Sequence, residues 1–132
     1  MKSVCFIQVR GYELDSFGHV NNAVYLQYAE TAKWEFFNNS GLWSKLKELN
    51  YFPVILENHV RYIHSLHLLD TVRIDTEWKC SMGLVEFVHT FRNDATGQKV
   101  CKVTGKLALV DENEIICSIP ENMRKYMEKN EL

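Results

Sequence analysis

The sequence predicts an α+β domain in which an antiparallel five-stranded sheet wraps around one long helix. Three observations lead there. Apolar and polar residues alternate with a period of two in three runs of the second half, a helical apolar period occurs once at length, and turn-forming residues separate the runs. A helix with one apolar face and strands with one wet face bury both by packing against each other.

Val4 to Arg10 alternates imperfectly but is rich in β-branched and aromatic residues, and it reads as the first strand. The long helical pattern runs from about Asn22 to Phe37. Val24, Tyr25, Tyr28, Ala29, Ala32 and Phe36 fall within roughly 140° of arc at about 100° per residue, so that face should meet the sheet. Asn21 or Asn22 suits the N-cap, and Gly41 follows as a stop. Leu42 to Leu49 forms a shorter amphipathic piece, and Val54 to Tyr62 reads as the second strand.

The third strand, Thr71 to Cys80, sets Val72, Ile74, Thr76, Trp78 and Cys80 against Thr71, Arg73, Asp75, Glu77 and Lys79. In the fourth, Leu84 to Arg92, the inner set is Val85, Phe87, His89 and Phe91. In the fifth, Val100 to Val110, Cys101, Val103, Gly105, Leu107 and Leu109 oppose Lys102, Thr104 and Lys106. Asp94-Ala95-Thr96-Gly97 has turn composition and should close an antiparallel hairpin between these two. A terminal helix is expected from Pro120 to about Met127.

At 132 residues, 46% hydrophobic and 24% charged, with no repeat or linker, the chain fits a single domain over residues 1–132. Fifteen basic against 17 acidic residues give a formal charge of −2, which offers no electrostatic reason to expect nucleic acid as a partner. The cysteines at 5, 80, 101 and 117 lack metal-binding spacing and read as free thiols of a reducing compartment. No run approaches the ~20 apolar residues of a membrane span, so a cytoplasmic protein is expected. His59 and His64 fall on opposite strand faces and nothing completes a ligand set with His67, so no metal is expected. His89 interrupts an apolar face and reads as a hydrogen-bonded core residue.

Chemistry concentrates just before the long helix, where Asp15, Gly18, His19, Asn21 and Asn22 occupy eight positions. Free N–H groups and a partial positive charge at a helix start stabilise a developing oxyanion, and a nearby carboxylate can act as nucleophile or base. The same residues could equally serve only as turn and cap.

Asp15, Gly18, His19, Val20, Asn21, Asn22, Tyr25 and Glu30 together resemble the signature of the hotdog-fold acyl-CoA thioesterases of the 4-hydroxybenzoyl-CoA thioesterase-like family. Val60-Arg61-Tyr62, Asp70 and Ile119-Pro120 extend the resemblance more weakly. Lys33 stands where the family usually has Arg, Leu69 where a Gly often precedes the Asp, and Phe17 where the plant acyl-carrier-protein branch has Asn. The resemblance implies hydrolysis of an acyl thioester, carried on coenzyme A or acyl carrier protein, without a cofactor. Asp15 matches the catalytic carboxylate, and the backbone N–H at or near Asn22 matches the oxyanion donor. Gly18, His19, Asn21, Tyr25 and Glu30 are supporting candidates, with packing the favoured role for Tyr25 and, for Glu30, a buried ion pair with a neighbouring subunit in preference to catalysis. The resemblance further implies a homodimer or dimer of dimers, and the open edges of a five-stranded sheet give a physical motive for it. Lys102 and Lys106 share a strand face from which they could reach coenzyme A phosphates. A dehydratase or hydratase of the same fold, and a non-catalytic acyl-thioester binding module, are the alternatives.

Overall fold

Each alternating run needs an apolar partner, and one helix supplies it to almost the whole sheet. In the computed structural model, which describes residues 1–129, strands β1 (Lys2–Gln8), β2 (Phe52–Tyr62), β3 (Thr71–Ser81), β4 (Leu84–Asn93) and β5 (Lys99–Val110) form one antiparallel sheet in the order β1-β3-β4-β5-β2. Helix α1 (Val24–Asn39) lies against its inner face. Trp78 of β3 stacks on Phe36 of α1 with ring centroids 4.4 Å apart, and its indole N–H donates to Ser3 Oγ at 2.8 Å. The expected helix face is buried throughout, and so are the expected inner residues of β3 and β4 except Cys80, which is half-buried at the end of its strand.

The five-strand expectation is one short. A sixth strand, β6 (Ile116–Cys117), pairs with Leu109 and Val110 of β5. β5 outruns β4, whose pairing with it ends at Leu107, and β6 takes the side left open there. Two residues are too few for an alternation to be read. β1 also begins earlier and ends sooner than its pattern indicates, because Val9 N–H leaves the ladder to donate to the Asp70 carbonyl at 2.8 Å.

Two shorter helices close the open side of the core. α2 (Leu42–Glu48) starts from Gly41, whose φ of 78° is a left-handed turn that glycine adopts without strain, and it buries Leu42 and Leu46. α3 (Glu121–Lys129) buries Met123 and Met127. Among the described residues no helix is long and apolar enough to cross a membrane.

Gly105 owes its place in β5 to close packing. A Cβ there would meet Phe87 Cζ at 2.6 Å and collide with the Glu57 carbonyl, which bulges toward it where the β2–β5 register slips between Ile55 and Glu57. Among the described residues β2 pairs only with β5, so its other edge, along an 11-residue strand, is unpaired there.

His89 is a titratable group buried in the core, 2% exposed. Its Nδ1 lies 2.7 Å from Thr76 Oγ1 among Trp78, Phe87 and Phe91, and burial holds its pKa down near 4 from an ordinary 6.5. The unfolded chain therefore takes up the proton first as pH falls. Stability should be fully present above about pH 6.5 and decline toward pH 4, with a loss of about 2 kcal/mol by pH 5 from this residue. Urea unfolding at pH 7 and pH 5 should show that difference in the wild type and a much smaller one in His89→Gln.

Candidate active site

The connection from β1 to α1 is a small folded unit. After a single 3₁₀ turn, Gly11–Glu13, the chain forms a narrow hairpin in which Leu14 pairs with Val20 and Asp15 N–H donates to the His19 carbonyl at 2.7 Å. Its tip turns at Gly18, whose φ is 75° and whose N–H donates to the Asp15 carbonyl at 3.1 Å. Only a residue tolerant of the left-handed region closes so short a loop cheaply. Gly18 therefore shapes the hairpin rather than lining the site.

The Asp15 carboxylate is oriented by the loop it belongs to. Oδ1 accepts the backbone N–H groups of Phe17 at 2.9 Å and His19 at 3.1 Å, while Oδ2 accepts no bond among the described residues. One oxygen is held and the other is available. Asn21 Oδ1 accepts Ala23 N–H at 3.0 Å and its carbonyl accepts Val24 N–H at 2.9 Å, a turn that leads into α1; the N-cap is Ala23, without a side-chain cap bond, and not Asn21 or Asn22 as expected, because the chain turns for two residues more before the helix begins. Asn22 keeps its backbone N–H without a partner among the described residues. Its carbonyl accepts the Tyr62 hydroxyl from β2 at 2.9 Å, which fixes this residue against the sheet edge.

Asp15, His19, Asn22 and Tyr25 line one cleft of about 210 Å³, closed by Tyr62 and the Ile63–Ser65 segment. His19 Nδ1 lies 3.4 Å from Ser65 Oγ, and its ring meets the edge of His67 at 5.0 Å. The segment beyond β2 is laced to this loop by Val20 N–H on the Leu66 carbonyl and by Leu69 N–H on the Val9 carbonyl. Leu69 itself has φ 65°, so the glycine usual at this place in the related family answers a conformational demand that leucine meets with strain. Tyr25 both packs and lines the cleft. It is buried between the rings of Tyr28, Tyr62 and Phe91, and burial pushes its phenol up to about 12, so it stays protonated as a donor at neutral pH.

Glu30 stands outside the cleft. Half-exposed on α1, it pairs with Lys33 at 3.0 Å, and Lys33 is itself buried with its ammonium 4.7 Å from the Trp34 ring. Glu30 thus pairs within its own chain and half-exposed, not buried against a neighbouring subunit as expected, because Lys33 lies one helical turn on. Among the described residues no group of His, Cys, Asp or Glu side chains is arranged to hold a metal ion.

Sequence reasoning passed over Glu13. Its carboxylate is buried, and Oε1 accepts the Tyr28 hydroxyl and the Arg10 N–H, each at 2.7 Å. Its carbonyl accepts Asn21 N–H at 2.9 Å. Burial and this bond raise the Tyr28 phenol well above its ordinary range. One residue thereby ties the start of α1 to the hairpin that carries Asp15. No periodicity links positions 13 and 28, so only the acid's place two residues before Asp15 could have drawn attention to it.

The thioesterase-like superfamily matches residues 9–126 of this chain. The long-chain acyl-CoA thioesterase FadM of Escherichia coli strain K12 is 35% identical over 71 residues, 54% of each chain. The chloroplastic acyl-acyl carrier protein thioesterase ATL2 of Arabidopsis thaliana is 50% identical over 36 residues, 27% of this chain and 19% of that one. The match thus spans about half or less of these curated relatives. The crystal structure of the probable thioesterase YbaW from Escherichia coli superposes with a TM-score of 0.85 at 25% identity, covering 96% of both chains.

Replacing Glu13 by Ala should destabilise the protein by about 3 kcal/mol, since it strands a buried hydroxyl and a backbone N–H. In a double-mutant cycle with Tyr28→Phe, denaturant unfolding should give a coupling of about 1 kcal/mol or more. Additive losses would show that the pair does not act as a unit.

Proposed function

The chain belongs to the thioesterase-like superfamily and has the hotdog fold, and from that premise we propose that it is a single-domain hydrolase, over residues 1–132, that cleaves an acyl thioester to the free acid and the thiol. The observation that carries this reading is the placing of a half-committed carboxylate, Asp15, and an unpartnered amide, Asn22 N–H, on the wall of one cleft.

The chemistry follows from those two groups. As a base, Asp15 Oδ2 takes a proton from water while the water oxygen bonds to the thioester carbonyl carbon. Charge moves to the carbonyl oxygen, where Asn22 N–H and the positive end of α1 receive it. When the oxyanion collapses, the C–S bond breaks and the thiolate takes the proton back from Asp15. As a nucleophile, Oδ2 would bond to the carbonyl carbon and expel the thiolate, and water would then hydrolyse the resulting anhydride. Both routes need the carboxylate ionised and the amide free. His19, beside Ser65, and the Tyr25 hydroxyl support the wall against which the acyl group rests, while Gly18 and Asn21 act through the backbone they shape.

The proposed active form is a dimer or larger. Among the described residues β2 offers an unpaired edge along an 11-residue strand, and unpaired backbone groups on so long an edge favour pairing with a second copy. Tyr62, the last residue of β2, holds Asn22, so a partner on that edge would stand next to the cleft.

Asp15→Asn keeps an acceptor for the Phe17 and His19 amides but removes the charge. Thiol release from acyl-CoA should fall at least ~10²-fold with the unfolding curve unchanged. Hydrolysis near the wild-type rate would remove Asp15 from the mechanism. Sedimentation at micromolar concentration should show a dimer or larger species, with activity lost as dilution separates it. A fully active monomer would contradict the proposed assembly.

A further inference from the structure

A developing oxyanion has room for more than one hydrogen-bond donor, and the start of α1 offers it a single free amide, Asn22 N–H. A second donor would have to line the same cleft, hold its proton at neutral pH, and have no other acceptor for it. One side chain of the cleft meets all three conditions.

Tyr25 stands in the first turn of α1, three residues beyond Asn22. A helical side chain leans toward the N-terminus and lies over the turn before its own Cα, so the Tyr25 ring extends back over Asn22. The ring contacts agree with this direction. Tyr62 touches both residues, with its ring 5.5 Å from that of Tyr25 and its hydroxyl on the Asn22 carbonyl at 2.9 Å. Tyr28 and Phe91 hold the Tyr25 ring from other sides, at 6.2 and 6.0 Å. Only 3% of the residue is exposed, yet it lines the cleft with Asp15 and Asn22.

The three tyrosines packed at this end differ in what their hydroxyls do. Tyr28 donates to the Glu13 carboxylate and Tyr62 to the Asn22 carbonyl. The Tyr25 oxygen takes a hydrogen bond from the Leu66 backbone, and among the described residues no acceptor holds its hydrogen. Burial raises the phenol to a pKa of about 12, with Cys101, Tyr62 and Asp15 adding to the rise, so the hydroxyl lies within electrostatic reach of the Asp15 carboxylate and still keeps its proton. Packing alone does not account for this group. Phenylalanine would fill the same space between Tyr28, Tyr62 and Phe91 without burying a polar hydrogen that has no partner.

We infer that Tyr25 is a second oxyanion donor: its hydroxyl and the Asn22 N–H meet the same carbonyl oxygen, and both bonds tighten as that oxygen gains charge. The inference rests on the thioester reading and adds a catalytic residue to it. The phenol donates a hydrogen bond without giving up its proton, and the departing thiolate still takes its proton from Asp15. Both donors come from one stretch of chain, the amide from the approach to α1 and the hydroxyl from its first turn, so the folding of the helix start sets their spacing.

Tyr25→Phe keeps the ring and removes the hydroxyl. Its kcat for an acyl-CoA should fall about 10²-fold while KM changes less than about 3-fold, the split expected for a contact made chiefly in the transition state. Two ligands that cannot be hydrolysed separate catalysis from packing. S-trifluoroacetonyl-CoA carries a ketone that hydrates to a tetrahedral diol, and S-propyl-CoA is a thioether of similar size with no carbonyl. The variant should bind the ketone at least ~10-fold more weakly than the wild type and the thioether equally well. A loss shared by both ligands would make Tyr25 a packing residue and overturn the inference, as would kcat within about 3-fold of the wild type. One readout needs no variant: proton NMR of the wild type with the ketone should show a downfield hydroxyl resonance with cross-peaks to the Tyr25 ring, absent with the thioether. Its absence with the ketone would also overturn the inference. Hydrolysis by the wild type that Tyr25→Phe leaves unchanged would remove this inference and keep the thioesterase reading. A wild type that binds the ketone through Tyr25 but hydrolyses no acyl-CoA would do the reverse.

Discussion

The geometry of the cleft depends on the buried carboxylate of Glu13. Taking a carboxylate out of water is costly unless its lone pairs find donors, and here a tyrosine hydroxyl from the helix and a backbone N–H from the strand exit meet the same oxygen. The carbonyl of the same residue holds Asn21. The hairpin bearing Asp15 and the first turn of α1 therefore move as one body. A carboxylate and an amide on separate flexible loops would pay for their alignment at every encounter with substrate; here the folded state has already aligned them.

The sheet supplies what that unit lacks. Tyr62 reaches from the end of β2 to the Asn22 carbonyl, so the position of the helix start is referred to the sheet edge as well as to Glu13. The same edge strand ends in the segment that closes the cleft. Chemistry on the inner side and an open edge thus converge at the end of β2.

Much of this was legible in the sequence where a single physical rule dominates. The strict alternations of β3 and β4 predicted which side chains are buried, because a strand with one wet face leaves little freedom. Asp15, His19 and Asn22 were visible as a compressed polar motif before a helix, whereas Tyr25 was visible only as a residue of the packed helix face. What could not be read depends on contacts between distant positions. β6 exists because β5 outruns β4, and the Glu13–Tyr28 bond joins residues with no common period. Glu30 is instructive in the other direction. Its place in the motif suggested an ion pair with a neighbouring subunit, with catalysis the lesser alternative, but the helix leaves it half-exposed and paired with Lys33 of its own chain.

The central claim is that Asp15 and Asn22 N–H act on the same carbonyl. Infrared difference spectroscopy of a ¹³C=O-labelled acyl thioester bound to the Asp15→Asn protein tests it most directly, because the substrate remains intact while the amide is unaltered. The account predicts a bound carbonyl band shifted to lower frequency than in water, as a carbonyl polarised by a fixed donor requires. A band at or above its frequency in water would show that no donor meets the carbonyl, and would contradict the assignment of the helix start as the oxyanion site.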